Sequence, residues 1–402
     1  YSLLMAKVSL FFLIICFFSG LQLSAQTETQ LRTELAQTKD KTVQLQIRLR
    51  LLDAIYERNR NDWQKEVKLL VDQRRAYQSK NSQVLISLLE AERAYFLGNQ
   101  RELEQVFSTQ LKNVKFKDSK YNWRKKILGC ALYPNDKQYH YKRLLAEVNR
   151  NLKNREQTAI YLQIAKNFSA VYQKDSALWA SNRALQFAKR SDKRWVLIEA
   201  MQRQAEVFWQ FSLFEQAVQR AIFSMQLAEE ASLEYYKLSP LLLIASISID
   251  VKNYNEALTY LKLAQELAIA TKDDRSLAYT NYLYGKYYLG VNMPTKALQS
   301  AEKSYYWFKS VGNQRYANRS RLVMLSAIKS KGGHIESEFP VYLASINGLT
   351  DPLLIADAYF EFGTYLLETK QYEKAKKAFE KSLGSLPLES LIRPKIANTY
   401  RS

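Results

Sequence analysis

Residues 351–387 read DPLLIADAYFEFGTYLLETKQYEKAKKAFEKSLGSLP. Asp351 offers an acceptor to the free N–H groups of a first helical turn, and Pro352 fits there because its missing N–H would be unpaired anyway. A first helix, A, then places Tyr359, Phe362, Gly363 and Leu366 on one stripe. After a break near Thr369-Lys370, a second helix, B, carries Tyr372, Ala375, Phe379 and Leu383 at helical spacing. Gly384 and Pro387 end it. Neither helix can bury its stripe alone, so the hairpin needs neighbours.

Those neighbours are visible as a period. Counting back from Ala375, the same helix-B position recurs at Ser337, Ala297, Ala257, Ala217 and Ala177, and less regularly at His140, Leu103 and Val67. From Ser337 to Ala177 each step is 40 residues. Helix A shows a matching small residue twelve places earlier, at Ala165, Ala205, Ala245, Gly285 and Gly363. Local strings agree, as in Asn253-Tyr254-Asn255-Glu256-Ala257-Leu258 and Pro294-Thr295-Lys296-Ala297-Leu298.

This pattern resembles the tetratricopeptide repeat. Tyr359, Phe362-Gly363, Leu366, Ala375, Phe379, Ser382 and Pro387 fill the places that family gives to its large, Leu-Gly, small and closing Pro residues. The resemblance implies an all-α fold, a right-handed α-solenoid of about nine antiparallel helix pairs. Small residues let helices approach, large ones fill the adjoining groove, and the A helices line a concave face. A period near 40, rather than about 34, implies longer helices. It is similar to the long-repeat form of exported bacterial repeat proteins and of sensor regions in signalling proteins. The expected division is a signal peptide at 1–25, divergent helical hairpins at 26–156, a regular array at 157–388, and the start of a further, truncated repeat at 389–402. Ile396-Ala397-Asn398-Thr399-Tyr400 reads as the opening of another A helix, so more chain is expected beyond Ser402.

Composition agrees. The chain has 402 residues, beyond the roughly 250–300 that one core serves. Only 11 Gly and 7 Pro punctuate it, whereas sheet proteins need turn signals every ~8–12 residues. The start from Met5 runs Met5-Ala6-Lys7, an apolar stretch over 8–18, then Ser19-Gly20 and Leu23-Ser24-Ala25. That order reads as a secretory signal peptide cleaved after Ala25, its apolar core falling short of the ~20 residues that cross a bilayer; an uncleaved membrane anchor is the rival reading. The expected location is the periplasm or the extracytoplasmic side of a bacterial inner membrane. Past residue 25 the one cysteine is Cys130, which cannot form an internal disulfide and reads as a buried small hydrophobe.

Lys and Arg number 59 against 39 Asp and Glu, a net charge of +20, which attracts polyanions. The dense cluster is Lys112, Lys115, Lys117, Lys120, Arg124, Lys125 and Lys126, beside a lone Asp118. It reads as a solvated basic face or as a docking patch for an anionic envelope surface. Nucleic acid is not the expected partner: Phe168, Phe208, Tyr288 and Phe379 fall at packing positions, not on an exposed stacking platform.

Catalytic apparatus is not visible in the sequence. The two histidines, His140 and His334, lack neighbours at ligand spacing, and a metal site needs three or four ligands. His334 follows Gly332-Gly333 and reads as an exposed turn residue. There is no Gly-rich phosphate loop and no nucleophile elbow. The carboxylates of Glu229-Glu230 and of Asp273-Asp274 point apart on a helix and read as surface charge. The expectation is no enzyme, no metal and no cofactor.

The resemblance also implies where a ligand sits, along the inner face of the A helices. Carried onto this sequence, those positions are Lys166, Gln202, Glu206, Trp209, Tyr279, Tyr282, Lys286 and Arg319. Amide, aromatic and cationic groups suit an extended peptide, with Trp209, Tyr282 and Lys286 as anchors. The family's carboxylate clamp is not reproduced. Tyr305-Tyr306-Trp307-Phe308 must turn one or two aromatics away from the buried stripe. The expected function is a non-catalytic protein- or peptide-binding module, the sensing region of a bacterial signal-transduction protein. Its membrane attachment and output domain would lie past Ser402. Alternatives are a free-standing cell-envelope scaffold and the accessory region of an enzyme.

Overall fold

The structure, a computed structural model, describes residues 27–133, 141–148, 152–347 and 351–385. The segments 1–25 and 389–402, together with His140 and Pro387, lie outside the described residues. Within them all regular structure is helical. The N-terminal part comprises α1 (27–37), α2 (Lys41–Arg58), α3 (Arg60–Asp72), α4 (Lys80–Leu97), α5 (Gln100–Val106), α6 (Ser119–Leu132) and α7 (Tyr141–Val148). A π-helical turn, Phe107–Leu111, continues α5. The array follows with α8 (Asn154–Ala170), α9 (Lys174–Ala188), α10 (Arg194–Gln210), α11 (Phe214–Glu230), α12 (Leu238–Asp250) and α13 (Tyr254–Ala270). It continues through α14 (Asp274–Gly290), α15 (Pro294–Ser310), α16 (Gln314–Ser330), α17 (Glu338–Ile346), α18 (Pro352–Glu368) and α19 (Tyr372–Gly384).

The 40-residue period has a simple origin. Six helices, α10, α11, α13, α14, α15 and α16, each have 17 residues. Three residues join one helix to the next, so a helix and its turn make half a period. The turns close alike. Tyr172, Ser212, Lys252 and Asn292 end A helices, and Ser232 and Lys272 end B helices, all left-handed at φ of 53–62°. After α12, the Asn253 N–H donates to the Ser248 carbonyl at 2.7 Å and the Lys252 N–H to Ile249 at 3.0 Å. This is the paired C-terminal closure that satisfies otherwise orphaned carbonyls.

The core is built on the small residues that set the period. Ala177, Ala217, Ala257, Ala297 and Ala375 are buried, as are Ala165, Ala205, Ala245, Gly285 and Gly363. A Cβ on Gly285 would lie 2.9 Å from Val323 Cγ1 and 3.4 Å from Ala301 Cβ. Three helices meet there at a distance only a missing side chain permits. Leu103 and Val67 are buried too.

One position departs from the pattern. Ser337 is exposed and stands at the N-cap of α17, a nine-residue helix. Here the period runs 38 residues to Ala375, and the full-length B helix is replaced by a shorter one. Phe339, Tyr342 and Ile346 fill the space, packing with Leu322 and Leu325 of α16. The Tyr342 hydroxyl donates to the Asn318 carbonyl at 2.9 Å.

The N-terminal helices do not simply extend the row. They fold back against the array, touching its A helices and the turns that precede them. Tyr56 meets Trp195 edge-to-face at 5.6 Å, and Arg60 pairs with Glu199. The Asn61 side-chain amide donates to the Lys272 carbonyl at 2.5 Å, and Arg275 lies 4.7 Å over the Phe96 ring. Asn313 donates to the Leu97 carbonyl at 2.8 Å, across 216 residues of sequence. The α2–α5 region thus spans the array from α8 to α16.

Candidate binding groove

The eight residues named for the groove all lie on A helices, and their contacts divide them into three groups. Trp209 ends its stretch of α10, and its indole Nε1 donates to Asp250 Oδ2 at 3.2 Å. Lys286, on α14, donates to Asp250 Oδ1 at 3.0 Å. A single carboxylate at the end of α12 therefore joins two preferred anchors across three successive A helices. The Lys286 and Asp250 side chains are each about one-fifth exposed, so the pair borders solvent.

The second group is aromatic and charged. Tyr279 stacks on Tyr282 with ring centroids 5.8 Å apart, and Tyr316 meets Tyr279 edge-on at 5.2 Å. Burial, then the neighbouring tyrosines Tyr316 and Tyr282, lifts the Tyr279 hydroxyl well above its ordinary pKa, so it remains a neutral donor. Tyr282 is almost fully buried and presents little surface as an anchor. Next to it Arg319 makes a two-pronged contact with Asp351, Nη2 to Oδ1 at 3.1 Å and Nε to Oδ2 at 3.2 Å. Arg315 adds a bond to Oδ2 at 2.9 Å. Burial alone would raise the Asp351 pKa, but Arg319 and Arg315 outweigh it and hold the carboxyl at about 2. Asp351 also caps α18 through the Leu354 N–H.

The third group faces elsewhere. Lys166 reaches the Tyr95 hydroxyl at 2.9 Å and lies 4.4 Å over that ring, tied to the folded-back α4. Gln202 is buried and donates inward to the Tyr236 carbonyl at 2.6 Å. Glu206 pairs along its own helix with Arg203 at 2.8 Å. These three do not join the Trp209–Asp250–Lys286 set.

Sequence reasoning passed over Asp250 and Tyr316. Asp250 closes an apolar run, LLLIASISID, and a lone acid at an A-helix end, one unit from a Trp and one from a Lys, was the available signal. Asp273, read as surface charge, is buried. It caps α14, accepting from the Ser276 N–H at 3.0 Å and its hydroxyl at 2.8 Å, because a first helical turn needs an acceptor more than the surface needs charge.

The remaining sequence features divide similarly. Cys130 is buried with its thiol pushed up to about 11 by burial, chiefly, while Asn167 works against that rise. His334 is exposed. Of the four consecutive aromatics, Tyr306 turns outward and Phe308 is fully buried. The basic cluster is not one face. Lys112, Lys115, Lys117 and Lys120 are exposed, but Arg124 turns to Glu92. Lys125 is buried with its ammonium on the Val114 carbonyl at 2.6 Å, and its pKa falls through desolvation and then Lys126. Among the described residues, no three His, Cys, Asp or Glu are grouped to hold a metal ion, and no helix is long and apolar enough to cross a membrane.

The fold defines the class: this is an all-helical solenoid of the tetratricopeptide-repeat kind. The tetratricopeptide repeat family model matches residues 356–385, the hairpin of α18 and α19. Two solved structures share the architecture. One is a Rap protein complexed with competence and sporulation factor, 12% identical, with a TM-score of 0.52 over 79% of this chain and 99% of that one. The other is aspartyl phosphate phosphatase F from Bacillus subtilis, 14% identical, with a TM-score of 0.55 over 91% and 95% of the two chains. At such identities the likeness is one of fold. No curated protein sequence matches the chain.

Proposed function

We propose that the chain is a non-catalytic module that binds an extended protein or peptide segment along its A helices, as the sensing region of an exported bacterial signal-transduction protein. The regular array, 157–388, would carry the groove and the 26–156 hairpins would flank it. The observation behind this reading is the Trp209–Asp250–Lys286 set. Its hydrogen bonds are of the kind a peptide can replace, Lys286 turning to a ligand carboxylate and Asp250 to a ligand N–H. The Rap structure with its bound factor supplies a precedent for a solenoid of this shape engaging a partner.

The test is capture of partners by the full chain and by the pair Trp209→Ala, Lys286→Gln, with helicity monitored by circular dichroism. Capture lost at full helicity supports the groove; capture retained removes it. Export is tested by fusing residues 1–40 to a reporter active only outside the cytoplasm, and an inactive fusion rejects the extracytoplasmic assignment. A second reading, a cell-envelope scaffold, is favoured by Trp179, Phe223, Leu263 and Tyr306, exposed on four successive B helices. A second face of that kind lets one rod join two partners.

A further inference from the structure

A cavity of about 480 Å³ lies where the N-terminal helices meet the array, between α2, α6, the start of α8 and the α9–α10 turn. Its volume falls within the range of small-molecule sites, roughly 300–1,000 Å³. The cations around it are Lys120, Arg124, Lys153, Arg155, Arg190 and Lys193. Three carboxylates also line it, Asp53, Glu156 and Asp192, so positive charge dominates two to one.

The geometry makes this more than a charged surface. Arg124 is held by Glu92 and Lys193 by Glu57 at 3.2 Å, so two cations are fixed from outside the cavity. Arg155 is steadied over the Trp195 ring at 5.6 Å. Lys153 and Arg190 are exposed, and neither makes a side-chain hydrogen bond or ion pair among the described residues. Glu156 turns back to accept from the Lys153 N–H at 3.0 Å. Lys153 itself stands at the N-cap of α8, where a side-chain acceptor is normal and a lysine supplies none. A cation there also adds to the positive end of the helix dipole. Lys153 and Arg190, beside a helix start that no side chain caps, therefore lack a complement that a group rich in negatively charged oxygen would supply.

We propose that this cavity binds a small anion carrying several adjacent oxyanion charges, of the di- or triphosphate kind. Guanidinium groups match such oxygens with paired hydrogen bonds. Because its walls come from both parts of the chain, the bound anion would clamp the N-terminal helices to the first regular hairpin.

Inorganic triphosphate is the probe, titrated calorimetrically into the full chain at matched ionic strength, with citrate as the polycarboxylate arm. The expected result is one triphosphate site, bound more tightly than citrate. The pair Lys153→Gln, Arg190→Gln should weaken it by about tenfold or more. The pair Lys115→Gln, Lys117→Gln removes equal charge from an exposed segment outside the cavity and should leave binding unchanged. Both are surface substitutions, and circular dichroism verifies that each variant folds. Equal weakening by the two pairs would reduce the effect to general attraction by a chain of net charge +20 and overturn the proposal. So would absence of binding, or citrate binding more tightly than triphosphate.

Discussion

Of the contacts that hold the folded-back N-terminal helices, the Arg60–Glu199 pair can be cut most cleanly. Arg60 Nη1 meets Glu199 Oε1 at 3.0 Å, with a second contact from Nη2 to Oε2. The guanidinium also lies 4.5 Å over Tyr56 and 5.8 Å over Trp195. Side-chain exposures of 12% and 20% put the pair between surface and interior. Removing one partner of a buried pair costs about 3–5 kcal/mol, while an exposed pair is worth about 0–1. For this intermediate case Glu199→Ala should cost about 2–3 kcal/mol, much of it from stranding Arg60 among aromatic rings. Replacing both residues, Arg60→Met with Glu199→Leu, should recover most of that loss, because two apolar groups need no partner. Urea denaturation of the four-member cycle of wild type, Arg60→Met, Glu199→Leu and the double replacement measures the coupling, and limited proteolysis within 41–106 reports whether the helices have detached. Single losses that simply add, or unchanged proteolysis in Glu199→Ala, would refute the idea that this pair fastens the two regions.

Three further outcomes follow from the same structure. Ala217→Leu inserts a branched side chain at a fully buried helix contact and should destabilise by about 1–3 kcal/mol, whereas Ser337→Leu, at an exposed cap, should change little; thermal melts distinguish them. Asp351 has a folded pKa of about 2 against an ordinary 3.8. Its depressed value means its contribution, about 2 kcal/mol, is complete above pH 3.8 and is lost as pH falls towards 2; an acid titration of Arg319→Met should lose most of that dependence. Lys252→Gly relieves a left-handed non-glycine residue at φ 62° and should stabilise by up to about 1 kcal/mol, read as a raised urea midpoint.

The array was legible because one packing rule repeats. Alanine every forty positions is a direct imprint of helices that touch, and the buried row from Ala177 to Ala297 is that imprint in space. The rule fails at Ser337 because α17 is short and its packing rests on Phe339 and Tyr342, large residues a search for small ones passes over. The fold-back of α2–α5 left no trace in the sequence. Its contacts join Tyr56, Asn61 and Leu97 to partners scattered over α10–α16, and a period reports neighbours, not returns. For the candidate groove, the resemblance puts Trp209 and Lys286 on A helices, but their shared hydrogen bonding to Asp250 is a matter of side-chain direction, which neither resemblance nor spacing encodes.

An open row of hairpins ordinarily behaves like a zipper, fraying or extending from either end because each unit leans only on the next. The Leu97–Asn313 hydrogen bond changes that behaviour by making the row a loop. Closing it brings together segments more than two hundred positions apart, and the entropy of that closure grows only logarithmically with the length enclosed. Such a contact slows assembly, since it can form only after the intervening units are in place. Once formed, it couples the opening of the N-terminal helices to that of the hairpins up to α16, while α17–α19 lie beyond the closure.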